Sequence, residues 1–172
     1  MAFKSVSYES LSFNPFTKIG KAWALLTAGI EGDYNTMTVS WGAVGYIWGK
    51  PSVTVYVRPQ RYTKGFVDRE DYFTLSFYPA DCKPALGYLG QASGRDGDKV
   101  GKVGFTPVHT HGTTYFEEAE LVFVCRKISR TLIGEDSFLD KDVQEKNYPA
   151  HDFHEMYIAE VVDVLVKEPD AE

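Results

Sequence analysis

Within NTMTVSWGAVGYIWGKPSVTVYVRPQRYT, residues 35–63, two kinds of chemistry lie side by side. Thr36, Thr38 and Ser40 alternate with Met37, Val39 and Trp41, which reads as a strand with one hydroxyl-bearing face ending in an indole. Arg58, Arg61, Tyr62 and Thr63 then fall within six positions. Hydroxyls and backbone beside an aromatic, followed by a basic and hydroxyl cluster, suit a ligand with a flat ring at one end and a phosphate at the other. Gly42 and Gly45 let a backbone approach a ligand closely, and Trp48-Gly49-Lys50-Pro51 forms a second aromatic turn. A helix starting near Thr63, with Thr63 as its N-cap, would add free N–H groups and the helix dipole to two guanidinium forks. Bland readings exist for each part. Thr is a good β-former on any half-exposed strand, and Arg58 and Arg61 could pair with the acidic run at Asp68–Asp71. Their juxtaposition favours the binding site.

The elements that must position these residues are mostly strands. Short apolar or alternating runs occupy 23–28, 35–41, 52–58, 72–77, 120–128 and 155–166. Helix signals are fewer: 63–70, weakened by Gly65, then 83–91 with Pro84 in its first turn, and 140–148. This pattern predicts a mainly β chain, a barrel with short helical insertions. The 172 residues fit one domain that can bury a core without disulfides or metals. Residues 167–172, KEPDAE, read as a flexible tail.

Composition removes several function classes. A net charge of −6 gives no support to nucleic-acid binding, which needs a broad basic surface. No apolar run approaches the roughly 18 residues of a membrane helix. MAFKSVSYES lacks the apolar stretch of a secretory signal. Cys82 and Cys125 read as reduced thiols, Cys125 in the core. A cytoplasmic location without membrane contact is the expectation. His109-x-His111 and His151-x2-His154, the latter beside Asp152 and Glu155, raise a metal site, but the first pair reads as a loop and no metal is assigned.

The blocks N-x-M-T-x-S-W-G, K-P, V-R-P-x-R-Y-T and F-T-L-S-F resemble the flavin reductase-like proteins of the FMN-binding split barrel, which include flavoredoxin. The likeness continues through Ser93-Gly94-Arg95-Asp96, Lys99, His154 and YIAEVVDV, so it runs from about Trp23 to Val166. It implies a six-stranded antiparallel split barrel with Greek-key topology, forming a homodimer that binds FMN noncovalently. Carried onto this chain, Asn35, Thr36, Met37, Thr38, Ser40 and Trp41 would line the isoalloxazine and ribityl chain. Arg58, Arg61, Tyr62 and Thr63 would hold the phosphate. Ser93, Gly94 and Lys99 would form a second flavin-facing loop, and His154 would sit near the ring. Flavin supplies the redox chemistry in this reading, so no protein nucleophile or acid–base dyad is needed. The implied activity passes electrons from NADH or NADPH through FMN to a flavin or other acceptor. The alternatives are a flavoredoxin-type carrier reduced by a protein donor, or a non-catalytic FMN-binding protein. The Gly- and His-bearing segment 99–114 is a candidate lid.

Overall fold

The computed structural model describes residues 2–168. Its strands are β1 (Phe3–Ser5), β2 (Ala24–Ile30), β3 (Asp33–Val39), β4 (Gly42–Ile47), β5 (Lys50–Val57), β6 (Tyr72–Phe77), β7 (Pro107–Thr110), β8 (Thr113–Phe116), β9 (Leu121–Leu132) and β10 (Glu155–Lys167). The helices are α1 (Pro15–Thr17), which runs on into a π-helical turn at Lys18–Ala22, then α2 (Tyr62–Arg69), α3 (Lys83–Gln91), α4 (Lys99–Val103) and α5 (Lys141–Asn147).

One sheet runs in the order β3-β2-β6-β9-β10-β5-β4, with β1 added alongside β10. Every pairing is antiparallel. The sheet's two edges, β3 and β4, are joined in the chain by Ser40 and Trp41 alone. Seven strands laid flat would separate those edges by about 29 Å, at roughly 4.8 Å per pairing. The link from Val39 to Gly42 spans at most about 11 Å. The sheet must therefore roll up until its edges meet. The α2 connection supplies the Greek-key step, carrying the chain from β5 past β10 and β9 to β6. Breaks in the β9–β10 register at Ile158/Ala159 and Val161/Asp163 bend the 13-residue β10. Its first half pairs with β5 and its end with β1. The fold is a split barrel of mainly β structure.

All six expected strands are present, with ends shifted by a few residues, and two short edge strands, β1 and β4, extend the sheet. A separate hairpin, β7–β8, lies off it. Helix α2 forms despite Gly65, but its N-cap is Arg61, not Thr63. Thr63 sits two residues further in, buried, where it meets β3 rather than capping the helix. Lys167 is part of β10, opposite Phe3, and the Glu168 N–H donates to the Ala2 carbonyl. The expected tail is thus in the ladder at Lys167, and 169–172 lie outside the described residues.

Side chains pack on both faces of β2, β6 and β9, which is why these runs are almost continuously apolar. Leu26, Phe73, Leu75, Phe77, Phe123, Cys125 and Tyr157 fill the barrel interior. Leu25, Val122 and Val124 face outward under Leu86 and Leu89 of α3, Val100 of α4, and Phe116 of the hairpin. Both cysteines are free thiols. The hairpin is fastened by hydroxyls: Thr74 donates to the Thr114 carbonyl at 2.6 Å, and Thr114 donates to the Gly29 carbonyl at 2.9 Å.

Phe123 meets Phe77 at 5.5 Å and Phe13 at 5.8 Å between ring centroids, all edge-on. Phe123→Ala therefore leaves a cavity at the barrel's centre and lowers unfolding free energy by about 3–5 kcal/mol. Urea unfolding checks this; a loss under about 1 kcal/mol would show that the core is not packed as described.

Candidate functional site

Along β3, Asn35 and Met37 turn inward and Thr36 and Thr38 outward. The outward hydroxyls are tied to neighbouring elements. The Thr36 hydroxyl lies 2.8 Å from that of Thr27 and donates to the Leu26 carbonyl, so the Thr36 side chain reaches no cavity. The Thr38 hydroxyl donates to the Leu86 carbonyl of α3 at 2.5 Å. Because β3 pairs only with β2, its other edge carries unpaired backbone groups. Met37, Thr38, Val39 and Ser40 all line one cleft of 220 Å³. Four consecutive residues can line a single cleft only along a strand's edge, since their side chains alternate between faces. What the cleft receives from β3 is chiefly backbone N–H and C=O.

Trp41, Tyr56, Arg58, Arg61 and His154 complete this cleft. Trp41 is 46% exposed and leans over His154, with ring centroids 5.2 Å apart. His154 is buried, and its Nδ1 shares a 2.8 Å hydrogen bond with the Tyr148 hydroxyl. Burial first, then the nearby Arg58 guanidinium, pull its pKa down to about 4, with Asp152 opposing weakly. The imidazole is therefore neutral at physiological pH. Arg58 is engaged by Asp152 at 2.5 Å, donates to the Asn147 carbonyl at 2.9 Å and lies over the Tyr148 ring. Hydrogen bonds from Gln60 and Arg58 hold the Asp152 carboxyl below its ordinary range.

Arg61 also lines a second cavity of 220 Å³, so this one residue borders both spaces. There Tyr62 and Thr63 at the start of α2 face Ser93 and Gly94, with Lys99 and Asn35 between. Asn35 Nδ2 donates to the Thr63 hydroxyl at 2.8 Å, pinning β3 to α2. Gly94 packs so closely that a Cβ would lie 2.3 Å from Asn35 Oδ1 and 2.9 Å from the Tyr62 ring. Only glycine fits there. Ser93 accepts the Arg95 N–H, making a tight turn.

The electrostatics of this second cavity are unusual for an acidic protein. Lys99 is 4% exposed. Its ammonium donates to the Leu89 and Ala92 carbonyls at 2.9 and 3.0 Å. Arg61 donates to the Gly90 carbonyl at 2.8 Å. Among the described residues neither is salt-bridged to a carboxylate. Burial and the Arg61 charge lower the Lys99 pKa to about 8, and burial lowers that of Arg61. Two desolvated cations held side by side without an anion are costly. The carbonyls orient them without neutralising them, and a bound anion would.

The candidate residues therefore divide. Met37, Thr38, Ser40, Trp41, Arg58 and His154 gather at the first cleft, and Asn35, Tyr62, Thr63, Ser93, Gly94 and Lys99 at the second, with Arg61 shared. Arg58 lies with the ring-sized cleft, apart from Thr63 and Lys99. Sequence reading did not single out Tyr56 or Tyr148. Tyr56 was visible as the cleft-facing alternate of Val55 and Val57; Tyr148, in an irregular segment, gave no signal. Of 99–114, only Lys99 lines either cavity, because Thr114 anchors the hairpin to β2 and β6. His109 bonds Thr114 and His111 bonds Thr110.

The His154 environment has a direct consequence. Its ring signals in an NMR titration stay unchanged from pH 8 to pH 5 and move only near pH 4. Since unfolded histidine binds a proton near pH 6.5, His154 favours unfolding progressively as pH falls from about 6.5 to about 4. A midpoint near 6.5 would contradict the described packing.

The family model for a flavin reductase like domain matches residues 16–172. No curated protein matches the sequence significantly. Solved structures share the fold. An FMN-binding domain of a flavin reductases-like enzyme from Shewanella baltica superposes with a TM-score of 0.68 at 15% identity, covering 96% of this chain and 77% of that one. Flavoredoxin from Methanosarcina acetivorans gives 0.67 at 20% identity, over 88% and 71%. An FMN-binding protein from Thermus thermophilus, with bound p-hydroxybenzaldehyde, gives 0.66 at 21%, over 96% and 82%. With a family match running from residue 16 to residue 172, the chain belongs to the flavin reductase-like domain family.

Proposed function

We propose that the protein is an FMN-binding oxidoreductase that takes electrons from NADH or NADPH and passes them to a flavin or another acceptor. The observation that carries this reading is the pair of cavities that share Arg61 in their linings. One offers a strand edge and aromatic side chains, the other a buried and a half-buried cation with no carboxylate. A flavin mononucleotide has that bipartite chemistry, a flat polar-edged ring and a phosphate. FMN, when bound, accepts hydride and releases electrons. The backbone edge from Met37 to Ser40 would hydrogen-bond the ring. Thr63, Ser93, Arg61, Lys99 and the α2 N-terminus would hold the phosphate. Trp41 and the neutral His154 would flank the ring and exclude water, and Arg58, fixed by Asp152, would orient a second substrate.

A carrier role, with a protein as electron donor or acceptor, finds support in the surface beside the ring cleft. A groove of 430 Å³ runs from Trp41 to Phe16, whose ring is 86% exposed. A homodimer fits the unpaired edge of β4 and its adjoining turn, where Tyr46 and Trp48 are 66% and 57% exposed. Sedimentation at micromolar concentration then gives twice the 19.3 kDa chain mass; a single chain mass rejects the dimer.

The purified protein is expected to take up FMN, turning yellow. Arg61→Ala and Lys99→Met each weaken binding by about 1.5–3 kcal/mol, the value of one charge-assisted hydrogen bond. Because Lys99 loses its proton near pH 8, FMN affinity falls as pH rises above about 8, and Lys99→Met removes that dependence. Failure to bind FMN rejects the reading. Anaerobic addition of NADH or NADPH to the FMN complex bleaches the flavin absorbance if the chain is a nicotinamide-dependent reductase; an unbleached complex leaves only the carrier or storage roles.

A further inference from the structure

We propose that Arg95 caps the anion cavity and selects a terminal phosphate monoester over a pyrophosphate-linked dinucleotide. The inference rests on the flavin reading above and adds a residue which that reading does not use. Arg61, Tyr62 and Arg95 line both the anion cavity and an outer groove open to solvent, which places Arg95 at the mouth. The Arg95 backbone is fixed, because Ser93 accepts its N–H at 3.2 Å and Gly94 is wedged against Asn35 and Tyr62. Its side chain is exposed and has few partners. The guanidinium lies over the Tyr62 ring, 4.8 Å from the centroid, and makes one long hydrogen bond, 3.3 Å, to the Gln60 carbonyl. Among the described residues no carboxylate pairs with it.

The charges match such a role. A phosphate monoester carries a charge of about −1.5 to −2 near neutral pH and presents three free oxygens. Arg61 and Lys99 can serve the inner oxygens. A third oxygen left toward the mouth would meet a guanidinium with several free N–H donors on an aromatic platform. In a flavin dinucleotide that oxygen forms the anhydride bridge to a second phosphate, so the outer group would occupy the space beside Arg95. Riboflavin has no phosphate to cap.

Titrations of wild type, Arg95→Ala and Arg95→Lys with FMN, FAD and riboflavin test this, followed by quenching of flavin fluorescence. Arg95→Ala is expected to weaken FMN roughly 10- to 100-fold while shifting FAD and riboflavin by less than about threefold, with Arg95→Lys intermediate. Equal losses for all three ligands, or no loss for FMN, overturn the proposal. If wild type binds no flavin, the flavin reading fails, and thermal unfolding in inorganic phosphate decides on Arg95. Phosphate stabilisation of wild type that Arg95→Ala loses supports the cap; stabilisation equal in both proteins, or absent from both, overturns it.

Discussion

The structure depends on a geometric constraint: the two edges of a seven-strand path are joined by two residues, Ser40 and Trp41. A sheet so tethered must close on itself. Closure leaves the free edge of β3 facing inward toward a cleft instead of outward toward another chain. An unpaired strand edge is ordinarily an aggregation hazard. Here it becomes a row of hydrogen-bonding groups walled by Trp41, Tyr56 and His154. The same tether brings the α2 start beside β3, where the Asn35–Thr63 hydrogen bond locks strand to helix.

Electrostatics gives the second half of the site its character. The protein is acidic overall, yet buried Lys99 and half-buried Arg61 have only carbonyl oxygens as side-chain hydrogen-bond partners. Several of its other cations pair with carboxylates: Lys64 with Asp68 and Glu155, Lys50 and Arg126 with Glu160. Arg58 belongs to this second class through Asp152. Arg61 and Lys99 differ from these in having carbonyls and no carboxylate as partners.

Much of this was legible in the chain. Alternation and short apolar runs located the six main strands, because such patterning is a local property, and part of the Asn35–Trp41 run lines the first cleft. The spacing of Arg58 and Arg61 suggested one clamp, but Pro59 and the turn into α2 send the two side chains to different partners. That divergence is a tertiary fact. So is the meeting of Arg61 with Lys99, 38 positions on, which needs α3 and the Ser93–Gly94 turn to bring them together. Strand β4, GAVGYI, carries two glycines and no clean alternation, since its exposed edge position imposes none. Residues 99–114, a candidate lid by their glycines and histidines, form α4 and most of the β7–β8 hairpin. Its anchor, Thr114, is an ordinary β-former whose partners lie on β2 and β6.

The most direct test of the central claim is a crystal structure of the protein with FMN. The account predicts the phosphate within charge-assisted hydrogen-bonding distance, about 2.7–2.9 Å, of Arg61 and Lys99, with the isoalloxazine edge against the Met37–Ser40 backbone. A phosphate bound instead at Arg58 and Asp152, or a ring seated away from the β3 edge, would contradict it.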